Sequence, residues 1–116
     1  MNKFVINKGM SNDFIIKIKQ NGTTLPMLID PSDTFVAKLL SLKDGSVVAT
    51  PTVEVYSAEN GQIKVTLSNE QVDTLEIVRG DRCDYYYSKP LYKLAIDCET
   101  VANGSFVAKI SKVYVE

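Results

Sequence analysis

The chain has 116 residues, of which 45% are hydrophobic and 23% charged, and it contains no histidine. This length predicts a single domain over residues 1–116, and this composition is typical of a globular protein rather than a disordered or fibrous one. Thirteen basic against fourteen acidic residues leave a net charge of −1, so no overall positive field would attract nucleic acid or an anionic membrane. No segment has the pattern of a signal peptide or of a membrane-spanning helix, and synthesis in the cytoplasm is therefore expected.

Short alternating segments between turn signals fill the first half of the chain. Residues 13–19, DFIIKIK, alternate in polarity and lead to an Asn-Gly dipeptide, which is typical of tight hairpin turns. After a loop with two prolines, residues 34–43 and 46–57 form a second predicted hairpin around Asp44-Gly45. Pro51 lies within the returning strand and indicates an edge or a bulge there.

The next segment contains another strand and the one predicted helix. An Asn-Gly turn leads into a strand over residues 62–67. Ser68 can cap a helix near residues 69–77, with Gln71 completing a capping box. Because so short a helix is marginal alone, we expect it to close one end of the β structure by burying three apolar side chains: Val72, Leu75 and Val78.

The last predicted strand changes the phase of its apolar residues, which indicates a bulge near Ser111. Short strands between dense turn signals are typical of antiparallel sandwiches. The predicted fold class is therefore all-β: an antiparallel, immunoglobulin-like β-sandwich of about seven strands with one short helix.

The stretch RCDYYYSKPLYKLAIDC, residues 82–98, holds both cysteines of the chain. If this stretch is extended, Cys83 and Cys98 lie on the order of 40 Å apart, whereas a disulfide needs the Cα atoms within about 7 Å. A bridge would require the chain to fold back near residues 88–90. We expect two reduced thiols that the fold does not need, and two cysteines without a histidine leave a zinc site incomplete.

The tyrosines of this stretch have three interpretations. Consecutive residues of an extended chain face opposite sides, so at least one of the three adjacent tyrosines is expected on the surface. They can pack in a half-buried strand, form a protein contact surface, or stack on sugars or single-stranded bases. The hypothetical partner-binding residues are Tyr85, Tyr86, Tyr87, Pro90 and Tyr92.

Other candidate sites are weaker. Asp30, Ser32 and Asp33 could offer oxygen ligands to calcium, or form a turn capped by their own side chains. Without histidine, Ser-His and Cys-His nucleophiles cannot be built, and we predict no catalytic residue, no cofactor and no metal, hence no enzyme. The acidic residues near the helix are expected on a solvated face: Glu70, Asp73 and Glu76.

The order of several motifs resembles a known family. These motifs are F-x-I-x-K-G at Phe4 to Gly9, G-x-I-x-V-x-L-S-x-E-x-x-x-x-L at Gly61 to Leu75, and the closing GSFVAKISKVYV over residues 104–115. They resemble the small β-sandwich modules of tailed-phage structural proteins, in particular the N-terminal domain of upper baseplate proteins and similar short virion proteins. Baseplate members continue into a coiled or receptor-binding part, which this chain is expected to lack.

The resemblance implies a non-enzymatic structural component of a tailed-phage virion. Such a protein would be a decoration or adaptor on the head, neck, tail or baseplate, located in the virion after synthesis in the host cytoplasm. Its expected partners are other virion structural proteins in many copies, and neither nucleic acid nor a membrane. The alternative function is a free-standing binding module, for example for carbohydrate, that uses the tyrosine-rich strand.

Overall fold

The computed structural model describes residues 4–19, 23, 25–76, 91–102 and 104–115. These residues form eight strands and one helix. In chain order the elements are β1 (Phe4–Ile6), β2 (Asn12–Lys17), β3 (Thr34–Ser41), β4 (Val47–Ala49), β5 (Thr52–Ser57), β6 (Gln62–Leu67), α1 (Asn69–Asp73), β7 (Tyr92–Thr100) and β8 (Gly104–Val115).

The strands form two sheets. The five-stranded sheet has the order β1-β8-β7-β3-β4, and the three-stranded sheet has the order β2-β6-β5. All of these pairs are antiparallel except β1 with β8, which is parallel. This is an immunoglobulin-like arrangement, in which β1 to β8 take the positions of the strands lettered A′, B, C, C′, D, E, F and G. The predicted fold class is confirmed, with eight strands in the described part of the chain where about seven were expected.

One hydrophobic core lies between the sheets and draws on both of them. The side chains of Ile63, Val65 and Leu67 in β6 are buried on one face, as their alternation predicts. In β2, Phe14 and Ile16 are half-buried, and Ile18 directly after the strand is buried, while the residues between them are exposed. The five-stranded sheet contributes buried side chains to the same core, among them Ala37, Leu39, Leu94, Ile96, Cys98 and Val113.

The hairpin of β3 and β4 is confirmed. In its turn, the N–H and hydroxyl of Ser46 donate to the Asp44 carboxylate, which lowers the pKa of Asp44. The single strand expected over residues 46–57 is wrong, because the chain passes from one sheet to the other at Pro51. Pro51 is buried at this crossing, and β4 and β5 are each the edge strand of their sheet, in agreement with the edge that Pro51 indicated.

The turn between β5 and β6 holds a glycine in close contact with two other segments. Gly61 has φ +63°, and a Cβ atom built on it would lie 2.5 Å from the carbonyl oxygen of Met27 and 2.6 Å from that of Ile18. The N–H of Ile18 donates to the Gly61 carbonyl at 2.7 Å, and the N–H of Met27 donates to the Ile18 carbonyl at 2.9 Å. Three backbone segments therefore meet where only glycine fits.

The helix begins with the predicted capping box. The Ser68 hydroxyl accepts from the N–H of Gln71, and the Gln71 side chain accepts from the N–H of Ser68. Val72 and Leu75 are buried as predicted, whereas Val78 lies outside the described residues. The helix ends at Asp73 rather than near residue 77, because the N–H of Leu75 already bonds in a tighter turn to the Val72 carbonyl.

The bulge predicted near Ser111 is confirmed. Tyr92 pairs with Val113 and Leu94 pairs with Ile110, so β8 contains one more residue than β7 between these two pairs. The extra residue changes the phase of β8 and lets Val113 turn its side chain into the core.

Three connections meet at one end of the sandwich, here called the loop end: residues 25–33, 58–61 and 101–102. The N–H of Val101 donates to the Asp33 carboxylate at 2.8 Å, and the N–H of Ile29 donates to the Ala58 carbonyl at 3.0 Å. The helix and the β3–β4 turn lie at the opposite end, as the strand directions require.

Candidate contact surfaces

Tyr92 is the one predicted partner-binding residue among those that the structure describes; Tyr85, Tyr86, Tyr87 and Pro90 lie outside them. Its side chain is only 6% exposed and belongs to the hydrophobic core. Its hydroxyl accepts a hydrogen bond from the N–H of Glu76 at 2.9 Å. Tyr92 therefore ties the start of β7 to the segment after the helix, and it does not extend an exposed tyrosine surface.

Cys98 is a free thiol whose side chain faces the core from β7. Burial raises the pKa of this thiol from its ordinary 9.0 to about 11, and its Sγ donates to the Ile96 carbonyl at 3.5 Å. A protonated, buried thiol is chemically inert at neutral pH. Cys83 lies outside the described residues, and the core position of Cys98 means that this residue contributes to packing and is not simply dispensable.

The loop of Asp30, Ser32 and Asp33 is a turn capped by its own side chains, as one of its two interpretations predicted. The Asp30 carboxylate accepts from the N–H of Ser32, and the Asp33 carboxylate accepts from the N–H of Asp30, both at 2.9 Å. The other oxygen of Asp33 accepts from the N–H of Val101. The two carboxylates thus hold the β2–β3 connection and fasten it to the β7–β8 turn.

The acidic residues of the helix region lie on a solvated face, as predicted. The side chains of Glu70, Asp73 and Glu76 are exposed, and Glu76 forms an ion pair with Lys43 at 3.5 Å. Within the described ranges, no three His, Cys, Asp or Glu side chains are grouped in a way that could hold a metal ion.

Exposed apolar side chains concentrate near the loop end. Val101 is 70% exposed, Leu28 68%, Tyr56 61% and Leu25 58%, the highest values among the large hydrophobic residues that the structure describes. Val101, Leu28 and Leu25 lie in the connections that meet at the loop end. Tyr56 is the second-last residue of β5, which also ends there. We call these four residues the loop-end apolar surface. Sequence reasoning missed it because the four residues come from three segments that are far apart in the chain.

The outer face of the five-stranded sheet is mixed in polarity. Val36, Asp97 and Val107 form one row across β3, β7 and β8, and both valines are about half exposed. The Asp97 carboxylate between them pairs with Lys38 at 3.3 Å. Single valines beside a charged pair are an ordinary solvated sheet surface.

A shallow cleft of about 280 Å³ lies on the three-stranded sheet near the loop end. The described residues of its lining are polar apart from one proline: Lys17, Lys19, Pro26, Asn60 and Gln62. The Asn60 amide is engaged with the Ser57 hydroxyl at 2.9 Å. These described side chains offer hydrogen-bond donors to solvent, and none of them is buried.

Comparisons with known proteins add no family. No protein-family model matches the chain, and no curated protein is significantly similar to it. Among the described residues, no helix is both long and apolar enough to cross a membrane.

Proposed function

We propose that the chain is a non-enzymatic structural component of a tailed-phage virion, a decoration or adaptor protein that acts through protein–protein contacts. Two observations support this proposal. The immunoglobulin-like sandwich agrees with the fold that the resemblance to phage modules implies. The loop-end apolar surface carries the argument, because it brings the four most exposed large apolar side chains of the described residues to one end of the fold, where one partner would cover them together.

The backbone below this surface is held in place by the fold. Leu28 lies between Met27 and Ile29, whose side chains are buried and whose N–H groups bond to Ile18 and Ala58. Val101 is held through its own N–H by Asp33. Because little backbone freedom is lost when such side chains meet a partner, a contact here costs less entropy than one made by a mobile loop.

The tyrosine stretch has a smaller part in this proposal than in the sequence prediction. The ring of Tyr92 packs in the core, so it is not available either to a protein partner or as a stacking platform for sugars. Tyr85, Tyr86, Tyr87 and Pro90 remain predicted contacts. No described residue favours the carbohydrate-binding alternative.

The test uses phage particles from a strain that encodes the chain. Quantitative mass spectrometry of purified particles is expected to find the chain at a fixed copy number. The double variant Leu28→Ser/Val101→Ser is expected to fold normally but to be incorporated at a clearly lower copy number, since truncated interface anchors can each cost ~2 kcal/mol. Leu42→Ser, at the opposite end of the sandwich, is the matched control because Leu42 is also exposed.

Particles that lack the chain would contradict the virion function itself. Particles that take up the double variant at the wild-type copy number would leave the function standing but would contradict the loop-end apolar surface as the contact.

A further inference from the structure

Strand β2 is an edge of the three-stranded sheet. It pairs with β6 on one side, and no strand in the described part of the chain lies on its other side. The other edge of this sheet, β5, follows Pro51 and carries a bulge between Val55 and Ser57, both of which hinder pairing with another strand. By contrast, β2 pairs with β6 over its six residues without a register shift.

The backbone of β2 presents hydrogen-bonding groups to this open side. The N–H of Ile18 donates to the carbonyl of Gly61, in continuation of the β2–β6 register. Hydrogen-bonding direction alternates along an antiparallel strand, so the N–H and C=O groups of Asp13, Ile15 and Lys17 point away from β6. The backbone N–H and C=O groups of these three residues therefore have no strand partner in the described part of the chain.

The side chains of the same three residues are self-complementary. All three lie on the exposed face of the sheet, in the order acid, hydrophobic, base. If a second copy pairs antiparallel about a two-fold axis at Ile15, Asp13 of each copy lies opposite Lys17 of the other, and the two isoleucines face each other. An axis at Phe14 places Ile15 opposite Asp13 and loses both charge pairs. An axis at Ile16 places Ile15 opposite Lys17 and moves Asp13 opposite Lys19, beyond the last residue of β2. The register centred on Ile15 therefore keeps both charge pairs and the isoleucine contact within the strand.

The inner face of β2 fits the same pairing. Phe14 and Ile16 are only half-buried, because they sit at the edge of the core. Around an axis at Ile15, Phe14 of one copy lies beside Ile16 of the other, so each covers apolar surface that the single chain leaves open. The Phe14 ring already packs on Phe4, with ring centroids 5.3 Å apart, which holds it in place for this contact.

The charges needed for the pairing are accessible. Asp13 contacts Lys64 within the chain at 3.9 Å, a partly exposed ion pair of little energetic weight. Lys17 has no ion pair within the described ranges.

We propose that two copies of the chain form a symmetric dimer by antiparallel pairing of β2 with β2, centred on Ile15. The pairing joins the two three-stranded sheets into one continuous sheet. This proposal is independent of the virion function. An interface built on one strand from each copy is small, and areas below about 1,200 Å² are typical of weak association.

Sedimentation equilibrium over a range of concentrations up to about 1 mM tests the proposal. The wild-type chain is expected to show a monomer–dimer equilibrium. Asp13→Lys and Lys17→Asp are each expected to raise the dissociation constant roughly tenfold or more, because each places like charges opposite one another twice. Glu54→Lys and Lys109→Asp change the net charge equally at other exposed positions, so they are controls and are expected to have no such effect.

Mixing the two charge variants identifies the register. A 1:1 mixture of Asp13→Lys and Lys17→Asp is expected to dimerise at least as well as the wild type. In the mixed dimer both lysines of one variant lie opposite the aspartates of the other, whereas each variant alone places like charges opposite one another. Ile15→Pro is expected to abolish the dimer with little change in the melting temperature, because it removes an N–H that points to the open edge, where proline is tolerated.

Three results would overturn the proposal. A wild-type chain that stays monomeric up to about 1 mM would do so. A dimer whose dissociation constant is unchanged in both charge variants would place the contact elsewhere. A mixture that associates no better than its two components would exclude the register centred on Ile15.

Discussion

Replacing Gly61 by alanine is expected to destabilise the fold far more than the same change at another glycine with positive φ. At φ +63° an alanine adopts the left-handed conformation, which costs about 1–2 kcal/mol by itself. Its Cβ would also lie 2.5 Å and 2.6 Å from the carbonyl oxygens of Met27 and Ile18, both of which are backbone atoms. Neither oxygen can move by a simple side-chain rotation, so the segments themselves must separate.

The cost follows from what those segments hold together. Moving them strains or breaks the bonds from Ile18 N–H to Gly61 and from Met27 N–H to Ile18, each with a net value of about 0.5–1.5 kcal/mol. Overpacking at a buried position adds about 1–3 kcal/mol. Together with the conformational cost, the expected loss is about 3–8 kcal/mol, which is a large part of the 5–15 kcal/mol typical of a folded domain.

Thermal unfolding followed by circular dichroism measures this loss. At roughly 4 °C per kcal/mol for a domain of this size, Gly61→Ala should lower the melting temperature by about 12 °C or more, or prevent folding. Gly45→Ala is the matched control: Gly45 has φ +76°, but nothing lies within 4 Å of its added Cβ. The control should lose only about 4–8 °C. Equal losses in the two variants would refute the packing argument at Gly61.

Three further predictions concern single side chains. Tyr92→Phe removes the acceptor of the Glu76 N–H and should lower the unfolding free energy by about 1 kcal/mol in urea titrations; an unchanged midpoint would contradict the role of this hydroxyl. Asp33→Ala removes two acceptors at the loop end and should cost about 1–2 kcal/mol, whereas Asp97→Ala, which loses one exposed ion pair, should cost less. Because the Cys98 thiol has a pKa raised to about 11, it should resist iodoacetamide in the native chain at about pH 8, as read by peptide mass spectrometry, and alkylate once urea is added. Because the unfolded thiol ionises near pH 9.0 and burial raises the pKa of the native one to about 11, the unfolding free energy should fall as the pH rises from 9.0 towards about 11.

Local features of the fold could be predicted because their causes are local. The capping box at Ser68 needs two side chains three residues apart, and the bulge near Ser111 follows from a break in alternation within one strand. The buried face of residues 62–67 likewise follows from a period of two. Each of these features is decided by neighbouring residues, which a single sequence displays directly.

Pairings between distant segments could not be predicted in the same way. Nothing in residues 4–6 indicates a parallel partner in β8, more than a hundred residues later. Pro51 indicates an edge in either case, whether the strand continues or the chain changes sheets, so the sequence does not reveal the crossing there. The burial of Tyr92 could not be predicted either, because its hydroxyl accepts from the N–H of Glu76, sixteen positions away in the chain. The loop-end apolar surface depends on such distant contacts as well.

The parallel pairing of β1 with β8 has a mechanical consequence. Phe4, Val5 and Ile6 lie beside Val113, Tyr114 and Val115 in the same direction along the sheet. A pull on the start of β1 against a pull on the end of β8 therefore slides the two strands past one another along their length. Their hydrogen bonds are then loaded in shear and must give way together, whereas a hairpin pulled at its open end unzips one bond at a time. Tension that enters at β1 and leaves at β8 thus has to break this strand pair as a unit rather than bond by bond.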